Sequence, residues 1–274
     1  MSGRWISVFV CAALAALAGC GSASAPPAPE IKLYAMDCGR LSVSDARSFA
    51  DDGAYDGQTR QLVDPCYLIR HPAGDVLWDL GLPEMVHDAP GGAMDVDEFH
   101  LTQPTTLDEQ LAILGLTPAD IHIVALSHSH FDHVGAAREF AAASWILDAD
   151  ERAWMFRDEA RAQPEFAFYA PIEHAHMTLI EGDEPYDVFS DGTVKILQAP
   201  GHTPGHVILQ LQLKNAGTVL LTGDMWHMSE SRAARRVPRY NTDRAQTLAS
   251  MDRIEALAAE THARVIRQHV PEDF

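Results

Sequence analysis

Short apolar runs, each followed by a turn or a polar stretch, occupy much of the chain after residue 30. Their length and their content of β-branched residues are typical of strands. We predict strands at 31–36, 66–70, 75–80, 121–126, 144–147, 194–198, 207–213, 219–221 and 265–267. Both halves of the chain therefore contribute β structure.

Two stretches have the spacing of amphipathic helices instead. Thr105 or Thr106 can cap a helix that carries Leu107 and Leu111 and ends at Gly115. A second helix is predicted from about Thr242 to Glu260, with a shorter one at 135–143. The polar stretches 41–61 and 84–103 are expected to be long loops.

Strands and helices mixed in this way predict an α/β fold. Two β-sheets packed face to face between outer helical layers, an αββα sandwich, is the arrangement that we favour for residues 31–274 as one domain. A doubly wound parallel sheet is the alternative.

The chain is acidic, with 39 Asp and Glu against 20 Lys and Arg and a net charge of −19 over 274 residues. Binding to nucleic acid needs cationic side chains that displace counterions from phosphates, so nucleic acid is excluded as a partner. Charge alone also disfavours binding to anionic lipid.

Residues 1–19 have the pattern of an export signal: Arg4 precedes an apolar stretch that is too short to span a bilayer comfortably. The end of this stretch, Leu17 to Cys20, resembles a bacterial lipobox, which implies a periplasmic lipoprotein anchored through lipid on Cys20. Ordinary secretion with cleavage near Ala23 or Ala25 is the alternative. Residues 20–30 are rich in Pro, Ala and Ser and are predicted to be a flexible tether.

Cys38 and Cys66 are the cysteines that remain within the predicted domain. In an oxidising compartment they can form a disulfide, and two buried free thiols are the alternative.

Residues with metal-binding side chains follow several of the predicted strands. Four of them, His128, His130, Asp132 and His133, fall within six residues directly after the apolar run 121–126. His202, Asp224 and His269 each follow a later run. Five imidazoles and two carboxylates suit two adjacent zinc ions better than one, and iron, cobalt or manganese are tolerated by the same ligands.

The segment His128-Ser129-His130-Phe131-Asp132-His133 resembles the H-x-H-x-D-H signature of the metallo-β-lactamase superfamily. The spaced His202, Asp224 and His269 match its other ligand positions. The resemblance implies the αββα sandwich of that superfamily. It also implies one ion on His128, His130 and His202, a second on Asp132, His133 and His269, and Asp224 as a bridge.

Within the superfamily the details resemble the quorum-quenching N-acyl homoserine lactonases. The turn at 201–206 and the strand end at 78–83 are similar to theirs. One departure is His227, which stands where many of these lactonases have a tyrosine three residues after the bridging aspartate.

The resemblance implies hydrolysis of a lactone by a hydroxide that bridges two metals. Asp132 would carry the proton to the leaving oxygen, and His227 would stabilise the oxyanion. Met225, Trp226, Trp154 and Phe156 are candidate contacts for the acyl chain of the substrate. The partner would then be a small lactone, bound by a monomer or a homodimer.

Three other functions compete with this interpretation. A different ester or thioester hydrolase of the same superfamily, similar to glyoxalase II, is the nearest alternative. A metal-binding lipoprotein without turnover belongs to another class, and a redox enzyme containing iron is a third alternative.

Overall fold

The computed structural model describes residues 29–274, so the predicted signal and most of the predicted tether lie outside the described residues. Thirteen strands form two sheets within this part of the chain. The first sheet contains β1 (Lys32–Val43), β2 (Arg60–His71), β3 (Gly74–Trp78), β4 (Ala93–Val96), β5 (Phe99–Thr102), β6 (Ile123–Ala125), β7 (Ser144–Asp148) and β8 (Met177–Ile180). The second contains β9 (Tyr186–Asp187), β10 (Val194–Gln198), β11 (Val207–Leu213), β12 (Gly217–Leu221) and β13 (Arg264–Ile266).

Both sheets are mixed. The first has the order β4-β5-β1-β2-β3-β6-β7-β8, and the second has the order β13-β12-β11-β10-β9. Pairing is parallel from β3 through β6 and β7 to β8 and between β12 and β13, and it is antiparallel elsewhere. The αββα prediction is confirmed, and the doubly wound alternative is ruled out because the strands form two sheets.

Seven α-helices accompany the sheets in the described residues. They are α1 (Met85–Asp88), α2 (Leu107–Ile113), α3 (Ala149–Met155), α4 (Asp158–Arg161), α5 (Phe166–Tyr169), α6 (Ser231–Ala234) and α7 (Arg244–Thr261). No helix among residues 29–274 has both the length and the apolar character that a bilayer span requires.

Alternating side chains explain the four layers. Along β11, Leu209 and Leu211 face the first sheet, where they meet residues such as Val76, whereas Ile208 faces α7. Because successive strand residues point to opposite faces, each sheet has two apolar faces to bury. The first sheet buries its outer face against α2, α3 and α5, and the second against α7.

The loop prediction for 84–103 was wrong, and the one for 41–61 was only partly right. Strand β1 continues to Val43, and β4 and β5 lie within 84–103. Leu41 of β1 pairs with Leu62 of β2 on one side and with Leu101 of β5, sixty residues away, on the other, so the extension depends on long-range pairing. The polar local composition of both stretches gave no sign of that pairing.

Cys38 and Cys66 form a disulfide between β1 and β2, with their Cα atoms 5.7 Å apart. Both residues are fully buried beneath α2. This result resolves the two alternatives that the sequence left open.

Candidate metal centre

The seven residues with predicted ligand roles lie together at one end of the two sheets. The cluster 128–133 follows β6 of the first sheet, whereas His202, Asp224 and His269 follow β10, β12 and β13 of the second. In the second sheet, these three strands run in the same direction because β11 lies antiparallel between β10 and β12. Their carboxyl ends therefore meet at one edge, which is where layered α/β folds gather ligand-binding loops.

The ligand atoms fall into two groups around one carboxylate. We call His128, His130 and His202 site one, and Asp132, His133 and His269 site two. Oδ2 of Asp224 is 3.5 Å from Nε2 of His128 and 3.3 Å from Nε2 of His202. Its Oδ1 is 3.1 Å from Nε2 of His133 and 2.8 Å from Nε2 of His269. Asp224 thus faces each site with one oxygen.

Within each site the ligand atoms converge on a common point. In site one, Nδ1 of His130 is 2.9 Å from Nε2 of His128 and 3.1 Å from Nε2 of His202. The ligand atoms of site one together with Asp224, and those of site two, each lie within 4.8 Å of one another. Such spacing suits nitrogen and oxygen ligands at about 2 Å from a shared cation.

Orphaned polar atoms at the centre of the cluster also fit a cation. Nε2 of His133 and Oδ1 of Asp224 are buried and form no hydrogen bond. A buried polar atom without a partner costs free energy, and coordination of a metal ion removes that cost. The residues present therefore fit a dinuclear metal centre.

Electrostatics at the centre favour positive charge. Burial lowers the pKa of His269, but the negative charges of Asp224 and Asp132 outweigh burial and raise that pKa to about 9. In site one, burial and neighbouring imidazoles hold the pKa values of His128 and His130 well below their usual range. His128 and His130 thus present neutral imidazoles, the form that binds metal.

Neighbouring groups orient the ligand rings. Oδ2 of Asp79 lies 3.0 Å from Nδ1 of His133, and the Val63 carbonyl lies 2.8 Å from Nδ1 of His269. In site one, the corresponding partners are neutral: Ser127 Oγ lies 3.1 Å from Nδ1 of His128.

His206 fixes the backbone at Asp224 through a hydrogen bond. His206 accepts a hydrogen bond from the Asp224 N–H at 3.1 Å and uses its Nδ1 to contact the Ala199 carbonyl at 3.0 Å. A Cβ at Gly223 would lie 2.7 Å from Nε2 of His206, so only glycine fits this close approach.

A cavity of about 220 Å³ opens over the centre. Its polar side is formed by His130, Asp132, Asp224, His227, Tyr240 and His269, and its apolar side by Leu41, Phe49, Leu62, Phe99 and Phe131. The cavity thus places an apolar wall opposite the reactive groups.

His227 reaches this cavity together with a residue that the sequence did not indicate, Tyr240. Nε2 of His227 is 3.0 Å from Oδ2 of Asp224 and 3.0 Å from the hydroxyl of Tyr240. Burial lowers the pKa of His227 to about 4, so the ring is neutral at pH 7. Tyr240 comes from the segment between α6 and α7, where no pattern marks it as functional.

The predicted acyl contacts Met225 and Trp226 do not line the cavity. They are 2% and 1% exposed and pack in the core between the second sheet and α7. The chain turns in a 3₁₀ turn at Gly223–Met225, so Asp224 and His227 face the centre while the residues between them face inward.

Trp154 and Phe156 also lie away from the cavity. The guanidinium of Arg157 stacks over the ring of Trp154, and Phe156 packs edge-to-face against Phe166 and Tyr169. These residues belong to the helical layer on the outer face of the first sheet. The prediction of these four acyl contacts is therefore corrected. The apolar side of the cavity is formed instead by Leu41, Phe49, Leu62, Phe99 and Phe131.

Comparison with known proteins agrees with this geometry. The family model described as the metallo-beta-lactamase superfamily matches residues 61–269. The N-acyl homoserine lactonase of Bacillus thuringiensis is 30% identical over 73% of this chain and 78% of its own. The chain belongs to the metallo-β-lactamase superfamily, in its N-acyl homoserine lactonase family.

Other lactonases extend the similarity over more of the chain. The N-acyl homoserine lactonase AttM of Azorhizobium caulinodans is 28% identical over 89% of this chain and 94% of its own. A solved N-acyl homoserine lactone hydrolase, with N-hexanoyl-L-homoserine bound at its catalytic metal centre, is 26% identical. It superposes with a TM-score of 0.74 and covers 90% of this chain and 95% of its own.

Proposed function

We propose that this protein hydrolyses the lactone ring of N-acyl homoserine lactones and thereby silences the bacterial signal that these molecules carry. The observation that carries the proposal is the bridging position of Asp224 between two sets of ligands beneath a cavity that is polar on one side and apolar on the other. The proposal is further supported by the lactonase relatives and by the product bound at the metal centre of one of them.

The seven ligands would hold two metal ions, for which we propose zinc because imidazole and carboxylate ligands in small coordination sets suit it. Iron, cobalt and manganese remain alternatives for the same ligands. When bound, the ions supply Lewis acidity and lower the pKa of water to about 7.

We propose that Asp132 moves a proton during the reaction. Its oxygens lie 3.9 Å from Nε2 of His133 and 3.8 Å from Nε2 of His269, and its side chain lines the cavity. It can therefore accept the proton of the attacking nucleophile and return it to the ring oxygen that leaves.

We propose that His227 and Tyr240 stabilise the charge that develops on the substrate oxygen. If Asp224 held cations, the Nε2–H of His227 would donate to the phenol oxygen of Tyr240, 3.0 Å away, and the phenol O–H would be left to donate to the substrate. A preorganised donor of this kind stabilises an oxyanion more than water does. Phe131, Phe99 and Phe49 would exclude water from the acyl side.

A lactone panel with acyl chains of different length tests the proposal. Metal content should be measured on the same sample, before and after chelation and after metal is restored. We expect ring opening that disappears on chelation and returns with metal. Turnover of thioesters without lactone opening would instead favour the glyoxalase II-like alternative. Metal-loaded protein inactive on every ester and lactone would favour a binding role.

We also propose that the protein is exported and anchored through lipid on Cys20. Support comes from the pattern of residues 1–19 and from the disulfide between Cys38 and Cys66, a bond typical of oxidising compartments. In a bacterial host, labelled palmitate should enter the native protein and be absent from Cys20→Ser, which should move to the soluble fraction. Labelling of the variant would contradict the anchor. Oligomeric state, monomer or homodimer, stays a prediction.

A further inference from the structure

Glu151 is a buried carboxylate that lies behind the metal centre. It belongs to the first turn of α3, is 1% exposed and does not line the cavity. Its Oε1 accepts hydrogen bonds from the backbone N–H of Ser129 at 2.8 Å and from its hydroxyl at 2.5 Å. Its Oε2 accepts from the Thr203 hydroxyl at 2.6 Å and from the Gly205 N–H at 3.2 Å.

The two loops that meet on Glu151 are the loops that carry site one. Ser129 stands between His128 and His130, and Thr203 directly follows His202. None of these hydrogen-bond donors is adjacent in sequence to Asp132, His133 or His269. One side chain therefore connects the segments that carry all three imidazoles of site one. Asp132 and His133 lie further along the first of these loops, three and four residues beyond Ser129, and His269 lies on a separate loop.

Close packing leaves these loops little freedom. A Cβ at Gly205 would lie 2.2 Å from the backbone nitrogen of Glu151, so the turn at 202–206 lies directly on the start of α3.

Two of the four donors are backbone N–H groups that can only donate, which requires both oxygens of Glu151 to accept. The ionised carboxylate meets that demand, and charge-assisted hydrogen bonds offset the cost of burying it.

We propose that Glu151 is a positioning residue that holds the two loops of site one at the separation a cation needs, and so controls the metal affinity of site one selectively. The inference rests on the metal centre of the proposed function. It assigns no contact with substrate to Glu151.

The replacement Glu151→Gln tests it. The amide keeps the shape of the side chain but offers one accepting oxygen, so the donors on one loop lose their partner. Metal-free protein should be titrated with Zn²⁺ against a chelating dye. We expect two bound ions in the native protein. In the variant, one affinity should fall by about 10–100-fold, the usual effect of removing a group that orients ligands, while the other stays within about twofold.

Cobalt(II) absorption identifies the weakened site because three imidazoles and a mixed imidazole–carboxylate set give different spectra. Asp150→Asn is the matched control: it removes the same charge from the same turn of α3 at an exposed position, and both affinities should stay intact. Thr203→Val and Ser129→Ala remove donors instead of the carboxylate, and they carry the test if Glu151→Gln does not fold.

Native protein that binds no cation would overturn the metal centre itself. Native protein that binds two ions, with both affinities unchanged in Glu151→Gln or in the two donor variants, would overturn the role of Glu151 alone. An equal loss at both sites would also overturn it, since the proposed effect is confined to site one.

Discussion

The two sites of the metal centre share Asp224 but are built in different ways. In site two the rings are held directly by strong acceptors: the Asp79 carboxylate for His133 and the Val63 carbonyl for His269. In site one the ring partners are a neutral hydroxyl and a neutral amide, with Nδ1 of His202 3.3 Å from Oδ1 of Asn241. The acidic group of site one, Glu151, binds the loops instead of the rings.

The difference has a chemical consequence. A carboxylate that accepts a proton from a ligand imidazole makes that ligand more basic, whereas a carboxylate that binds a loop sets only its position. Site two is therefore expected to depend on the charge of Asp79, and site one on the geometry of its loops. The following experiments compare these dependences, beginning with the largest expected effect.

Replacing Asp132 with Asn should have the largest effect, because Asp132 belongs to site two and also faces the cavity. At saturating metal, kcat for lactone opening should fall by about 10²–10⁴-fold, the range for loss of a general acid or base. Steady-state kinetics with metal content measured on the same sample provide the check. If the Asp132→Asn variant bound its full complement of metal and kept the native kcat, Asp132 would have no role in proton transfer.

Replacing Asp79 with Asn should weaken site two selectively. The amide cannot accept in the same way from the His133 ring, which Asp79 contacts directly, whereas Asp79 reaches site one only through Ser127, whose N–H donates to it at 2.7 Å. We expect the affinity of one metal to fall by about 10–100-fold. The cobalt spectrum should show loss of the ion in site two, whereas Glu151→Gln should lose the ion in site one. If both variants lost the same ion, the contrast between the sites would be wrong.

Replacing Tyr240 with Phe should leave both sites loaded and reduce kcat by about tenfold or more, because a donor to the developing charge is lost. Tyr67→Phe is the matched control, since the Tyr67 hydroxyl is buried without a hydrogen-bond partner and lies outside the cavity. A change in KM without a change in kcat would assign Tyr240 to ground-state binding instead.

Glu139 is a carboxyl group that lies beside other carboxyl groups, in contrast to the carboxylates of the metal centre. Replacing it should have the smallest effect of the experiments proposed. Burial and the neighbouring Asp108 and Glu84 raise its pKa from 4.5 to about 8. A raised pKa in the folded state means that the stabilisation from protonation is complete below pH 4.5 and is lost as the pH rises through 8.

Glu139→Gln should therefore raise the melting temperature of metal-free protein at pH 9 by about 2 °C and change it little at pH 4, the small size reflecting partial exposure to solvent. Exposed Glu260→Gln is the control for the same charge change and should show no difference between the two pH values. A larger gain at pH 4 than at pH 9 would contradict the assignment.

Much of the fold could be predicted from the sequence where local pattern and burial agree. Strands β10 and β11 have the predicted bounds, and α2 begins at Leu107, directly after its cap Thr106, whose side chain accepts from the Glu109 N–H. The hairpin of β4 and β5 was missed because its pairing with β1 is long-range.

The candidate ligands could be recognised from the sequence alone, because imidazoles and carboxylates directly after apolar runs have few roles other than chemistry at a sheet edge. The sequence did not determine the walls or supports of the centre. Leu41, Phe49, Tyr240 and Glu151 come from four separate segments with no local sign of a shared purpose. Only the packing of two sheets and their loops brings such residues together, since a contact between distant segments depends on the whole topology and not on the residues beside it in the chain.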